Sequence, residues 1–321
     1  MEKIKNAPFY RSTLTPTQMM GEVLISLIPV CIMAIVKFGI RAFYMMAVGV
    51  SSAVLFEHLW CMYKKKPTTI GDLSAVVTGL LLSLCYTVKI PMWMIVFGSF
   101  VAIIIIKELP GGLGQNKLNP AAFARVLCKI LFTPLVAQWV LPGPDMISTA
   151  TPLEYLSNGA TVISPYLPSI NDMFMGNIGG NIGDVVKWPI IISFIFLSWR
   201  KTINPIMPIT MLVGLFLTTL LFGKSDPMFA LYHVLSGTAM FGAVFMVTEY
   251  TTCPLSVRGK VFYSLFIGII VGILRYLTGL PGGVGVAILL GNLLAPVFDR
   301  IATNHVYNYE QPINPFDERN Y

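Results

Sequence analysis

The sequence predicts an all-α integral membrane protein, with about ten transmembrane helices arranged as two inverted five-helix repeats. Three observations lead there. Of 321 residues, 55% are hydrophobic and only 12% charged, with a mean hydropathy of +0.73, whereas an ordinary soluble domain carries roughly 25% charged residues. Apolar stretches near the length that crosses a bilayer follow one another with short polar breaks. Finally, "ELPGGLG" at 108–114 recurs as "GLPGGVG" at 279–285, with Pro110 and Pro281 separated by 171 positions.

In chain order, spans are expected near 20–37, 41–60, 72–88, 91–107 and 119–141, forming a first repeat within residues 1–141. Residues 142–183, rich in Pro, Ser, Asn and Gly, form a non-membrane segment. A second repeat within 184–300 holds spans near 184–200, 204–222, 229–248, 259–277 and 281–299, and 301–321 is a tail. Each copy of the glycine turn precedes a span with an Asn and a Pro (Asn119, Pro120; Asn292, Pro296), and "SAVVTGLLLSLCY" and "LSGTAMFGAVFMVTEY" occupy matching places upstream. An odd number of spans per copy turns the second copy upside down, the arrangement of many transporters.

Lysines and arginines set orientation. One side collects sixteen, including Lys64, Lys65, Lys66, Lys107, Lys117, Arg125, Lys129, Arg200 and Lys201; the other has six, Lys37, Arg41, Lys89, Lys187, Lys224 and Arg275. This puts both termini in the cytoplasm and 142–183 outside, in a multi-pass protein of the cell membrane. The net charge of +7 thereby falls on loops, which argues against nucleic-acid binding. The five cysteines show no metal or disulfide spacing. No small-residue cleavage site follows the first apolar segment, so it is expected to stay in the membrane.

The stretch "DMISTATPLEYL" (145–156) is the polar exception. Thr151 as N-cap, Pro152 at the first helical position and Glu154 three residues after the cap spell a capping box. The cap leaves Asp145 and Ser148, at fixed distances before Ala150-Thr151, unexplained.

Asp145-x-x-Ser148-Thr149-Ala150-Thr151 resembles the motif at which a flavin transferase esterifies a threonine hydroxyl with the phosphate of FMN; Thr149 stands where the family form has glycine. With Gly71-Asp72-Leu73-Ser74, "LPGGLGxNxxNPAAFAR" and "MVTEYTTCPLSVRGKVFYSLFIGIIVGILR", the whole chain resembles the NqrB/RnfD family. These are membrane subunits of the sodium-pumping quinone reductase and of the Rnf ferredoxin:NAD oxidoreductase. The first span begins about twenty residues in, without the substantial N-terminal extension of NqrB-type chains, which favours the RnfD side.

The resemblance implies covalent FMN on Thr151, with Asp145, Ser148, Thr149 and Ala150 as recognition elements for the transferase. It also implies the other Rnf proteins, RnfA, RnfB, RnfC, RnfE and RnfG, as partners, and electron transfer between ferredoxin and NAD coupled to export of sodium or protons. A second, non-covalent flavin such as riboflavin is left open. Thr161, in "SNGAT", ends in Gly-Ala-Thr but has Tyr155 and Asn158 where the motif wants Asp and Ser or Thr. The glycine turns, with Gly111, Gly112, Gly282 and Gly283, either re-enter the membrane or are plain hairpins. Intramembrane ionisable residues are costly and draw attention: Asp72, Glu108, Arg125 and Glu249 are candidates for an ion or cofactor path, with Glu108 and Arg125 able to form a pair. Glu22 and Glu57 also lie in or at the ends of spans. A non-redox transporter or channel on the same repeat is the competing reading.

Overall fold

The computed structural model describes residues 15–143, 147–157, 167–223, 225–277 and 283–304. All named elements are helical, and among the described residues extended pairing is limited to one isolated antiparallel bridge, Val140–Ser148. The first half contains α1 (Pro16–Phe38), α2 (Ile40–Tyr63), α3 (Ser74–Leu84), α4 (Met92–Phe100), which continues as a π-helical stretch Val101–Glu108, and α5 (Pro120–Leu131). Three short helices follow: α6 (Thr133–Val136), α7 (Pro152–Ser157) and α8 (Ile170–Met175). The second half contains α9 (Trp188–Trp199), α10 (Ile206–Phe222), α11 (Pro227–Leu235), α12 (Ala239–Phe245), α13 (Val257–Leu277) and α14 (Val284–Asn304).

Helix boundaries follow local chemistry. At the start of α1 the Gln18 amide donates to Thr15 Oγ1 (3.2 Å) and the Thr15 amide to Gln18 Oε1 (3.0 Å), a reciprocal cap. The helix stops at Gly39, whose φ of +71° lets the chain turn straight into α2.

Among the described residues, four helices, α1, α2, α13 and α14, are long and apolar enough to cross a bilayer alone, and α11 with α12 would make a fifth span bent by 59°. Within the spans expected at 72–88, 119–141 and 184–200 the helices are the shorter α3, α5 and α9, and the span expected at 229–248 holds the bent pair α11 and α12. Two of the breaks have visible causes. After α3, residues 85–90 stay largely buried without being helical, and the chain there is engaged by the 176–187 loop: the Ile182 amide donates to Tyr86 O and the Gly183 amide to Leu84 O, each at 2.9 Å. Irregular backbone at membrane depth is tolerable when protein covers it. Between α11 and α12, Ser236 is extended and Gly237 has φ +60°, a conformation in which glycine carries no steric penalty.

The halves meet through corresponding helices. Helix α1 packs on α9 and α5 on α14, and both pairs are antiparallel: Glu22 meets Arg200 while Ser26 meets Ser193, and Asn119 meets Asn292 while Val126 faces Gly285. Within each half the second helix carries the close contacts, α2 on α3 and α10 on α13. Small residues make this possible. A Cβ on Gly79 would run into Gly49 O, and one on Gly268 would run into Met211 O, both inside van der Waals contact. Gly268→Ala must therefore force α10 and α13 apart, and thermal unfolding in detergent is expected to show a loss of about 1–3 kcal/mol, as overpacking generally costs. An unchanged midpoint would mean that the two backbones do not approach this closely.

Candidate functional site

The polar stretch folds as its local chemistry requires. Residues 139–141 pair with 147–149, through Leu141 N to Ile147 O (2.9 Å) and Thr149 N to Trp139 O (3.2 Å). Lys89 Nζ donates to Ser148 Oγ at 3.0 Å, tying this pairing to the loop before α4. The capping box is formed: the Glu154 amide donates to Thr151 Oγ1 (3.3 Å) and the Thr151 amide to Glu154 Oε2 (3.4 Å). Thr149 Oγ1 donates to Ala150 O at 3.3 Å. Asp145 and Thr161 lie outside the described residues.

Thr151 is buried, 7% exposed, and lines a cleft between the halves that encloses about 730 Å³ of empty space, part of it open to solvent. Arg125 and Lys129 of α5, Asn181 and Asp184 of the buried loop, and Trp139 line the same space. Two of these groups present unsatisfied polarity, since Arg125 Nη1 and Asn181 Oδ1 are buried without a hydrogen-bond partner. The Arg125 guanidinium lies 5.2 Å from the centre of the Tyr86 ring, a cation–π contact. Asp184 is held by Asn181, which donates its backbone N–H (3.1 Å) and Nδ2 (2.7 Å) to the carboxylate.

This geometry corrects two expectations. Arg125 and Lys129 sit with Thr151, at the opposite end of α5 from Lys107 and Lys117, so they leave the group of sixteen; α5 starts after the glycine turn and carries them across. Glu108 and Arg125 do not pair. Glu108 is 3.9 Å from Lys107 Nζ, and Arg125 stacks on Tyr86 instead.

A second cavity of about 680 Å³ opens towards the other end of the molecule, lined among others by Ser74, Lys107, Asn116, Asn119, Glu249 and Tyr250. Glu249 accepts from Asn116 Nδ2 (3.1 Å), Thr251 Oγ1 (3.1 Å) and Thr252 Oγ1 (3.2 Å), and Asn116 Oδ1 is buried and unpartnered. Asn119 caps α5 by accepting the Ala122 amide (2.8 Å), donates Nδ2 to Met246 O (3.2 Å), and donates its own amide to Asn292 Oδ1 (3.0 Å). Asn292 Nδ2 in turn donates to the Tyr263 hydroxyl at 2.7 Å. Asn119 to Ala121 face this cavity and Ala122 and Arg125 the first, so one turn of α5 and the end of α12 form the wall between them.

Comparison with known proteins is decisive on ancestry. Residues 3–308 match the model of the NQR2, RnfD, RnfE family. The chain belongs to that family. It is 34% identical over 314 residues to the D component of the Na(+)-translocating ferredoxin:NAD(+) oxidoreductase complex of Acetobacterium woodii, covering 95% of this chain and 94% of that one. It is 32% identical over 308 residues to the D component of the proton-translocating ferredoxin:NAD(+) oxidoreductase complex of Clostridium ljungdahlii, covering 92% and 93%. The corresponding D component of the ion-translocating oxidoreductase complex of Yersinia enterocolitica is 29% identical over 347 residues, covering 96% and 99%.

Within this member of the family, the remaining candidates are placed as follows. Asp72 Oδ1 accepts the Ser74 amide (2.8 Å) and hydroxyl (2.5 Å), starting α3. Gly111 and Gly112 have φ of +138° and +98°, and Glu108 is the nearest neighbour of a Cβ at Gly112. Gly283 packs on Leu274 of α13; Gly282 lies outside the described residues. Sequence reasoning placed Lys107 at the cytoplasmic end of the span 91–107, facing the aqueous side. It is instead buried, 2.8 Å from Glu57 Oε2 and 2.6 Å from Ser74 Oγ, beside the second cavity. The π-helical winding that delivers it, visible in the Leu109 amide donating to Ile104 O (2.9 Å), has no signature in the apolar run that precedes it. Buried Lys187 and Arg275 were also missed as a group: Lys187 Nζ donates to Asp184 O and Gly237 O, and Arg275 Nη1 to His233 O (2.5 Å), all backbone partners that spacing does not reveal.

Proposed function

We propose that this chain is the RnfD-type membrane component of an ion-translocating ferredoxin:NAD oxidoreductase complex, with FMN esterified through its phosphate to Thr151. It passes electrons between the other components, RnfA, RnfB, RnfC, RnfE and RnfG, and sodium or protons are exported in step. On this reading both termini lie in the cytoplasm, 142–183 lies outside, and the two halves form an inverted repeat in the bilayer; the antiparallel pairs α1–α9 and α5–α14 support that symmetry.

The observation that carries the reading is the position of Thr151 at a cleft between the halves whose other polar groups include an unpartnered cationic donor and an unpartnered carbonyl acceptor. A flavin presents both a carbonyl-rich edge and an imide N–H, so the residues present fit it. When bound, the flavin supplies reversible electron uptake; the protein holds and orients it and sets its surroundings. Trp139 and Leu153 offer apolar surface to a planar ring, and burial of Thr151 keeps the ester away from bulk water. The second cavity, with the unpartnered Asn116 carbonyl and the Glu249 carboxylate, suits a non-covalent flavin such as riboflavin. A wall one helical turn thick would let electrons pass from one cavity to the other.

Intact-mass measurement of the chain produced together with a flavin transferase tests the reading. The expected result is a mass increased by one FMN moiety and a band that fluoresces under ultraviolet light on a denaturing gel. A chain of unmodified mass under those conditions overturns the redox role and leaves a non-redox transporter of the same family architecture.

A further inference from the structure

Arg125 raises a question that the proposed flavin attachment does not by itself answer. Among the described residues no carboxylate lies within ion-pairing distance of it, and Nη1 has no acceptor. A guanidinium in the interior of a membrane protein is costly unless an anion or a set of acceptors compensates it. Tyr86 supplies a ring face at 5.2 Å, which is a partial compensation. The acid that lines the cavity, Asp184, commits its carboxylate to Asn181. The side chain therefore faces the cavity with Nη1 unpartnered.

We infer that Arg125 is the counter-charge for the electron-rich, reduced form of the ring held in this cavity, a positioning residue that sets how readily the flavin on Thr151 is reduced. The inference rests on the proposed attachment at Thr151. Arg125 makes and breaks no bond: its positive charge offsets the negative charge that reduction adds. The other charged groups facing the cavity are Lys129, from one turn further along α5, and Asp184, from the buried loop. Arg125 and Asp184 must then act with opposite signs. The fixed guanidinium fork also offers donors to the carbonyl edge of the ring, while Asn181 Oδ1 offers an acceptor to its imide N–H.

The test is the midpoint potential of the covalently bound flavin, measured by spectroelectrochemistry on detergent-purified wild-type, Arg125→Gln, Arg125→Lys and Asp184→Asn chains, each first shown by gel fluorescence to carry flavin. Arg125→Gln is expected to favour the oxidised form at least tenfold, a downward shift of about 59 mV for a one-electron couple. Arg125→Lys should recover most of that shift, and Asp184→Asn should move the potential upwards. A fluorescent Arg125→Gln chain with the wild-type potential overturns the inference. If Arg125→Gln does not fold, Asp184→Asn and Arg125→Lys still decide it, because a potential unmoved by Asp184→Asn and lowered by Arg125→Lys as by a neutral residue contradicts the charge argument. A wild-type chain without flavin is a different failure, that of the attachment at Thr151.

Discussion

Thr151→Val is expected to abolish covalent flavin altogether: no fluorescent band, no added mass, and electron transfer through the chain lost with it. Valine is close to threonine in shape but has no hydroxyl to esterify, and the rest of the cavity stays as it was. The fold should survive. What valine removes is the side-chain half of a capping box on a helix of six residues, α7, where the Glu154 amide donates to Thr151 Oγ1, and losing such a cap costs about 1 kcal/mol. Chemistry and stability are thus separable by the same variant: attachment falls to zero while the unfolding midpoint moves only slightly. Thr161→Val should leave the band intact. A band that persists in Thr151→Val but vanishes in Thr161→Val would move the acceptor to Thr161, and one that survives both would remove the ester from this segment.

Why so much of this could be read from the chain, and some could not, follows from which interactions are local. The cap at Thr151 was legible because its partner is three residues away, and α1, α2, α13 and α14 were legible because length and apolarity alone make a span. The asparagines repeated in the two halves, Asn119 and Asn292, meet across the interface. The breaks were hidden. Residues 85–90 and 236–238 sit in or beside apolar runs that look like uninterrupted helix, and what stops them is backbone bonding to the 176–187 loop and a left-handed Gly237, neither of which leaves a mark on hydropathy. Arg125 was expected within the span 119–141 near its cytoplasmic end, and nothing in the sequence shows that α5, beginning just after Asn119, carries it to the cavity that Thr151 lines.

The second large effect is expected at Lys107. Its side chain and that of Glu57 are 3% and 0% exposed, with 2.8 Å between the charges. Thr69 also donates its hydroxyl to Glu57, and Ser74 joins Lys107 to Asp72. Lys107→Met leaves the Glu57 carboxylate in a dry interior with only a hydroxyl for company, and breaking a buried pair from one side costs about 3–5 kcal/mol. Denaturant titration in detergent should show that loss in Lys107→Met and most of it recovered in Lys107→Met with Glu57→Gln, because removing both charges removes the desolvation cost together with the attraction. Arg200→Met provides the contrast: its guanidinium side chain is 49% exposed although Glu22 is buried, so solvent can relieve part of the damage. If Lys107→Met proves as stable as the parent, the ion pair is not closed in the folded protein. If the predicted loss appears, the π-helical turn before Leu109 is explained as the device that aims a lysine inward, at the wall of the second cavity, to pair with Glu57, where apolar residues in place of both charges would have been at least as stable.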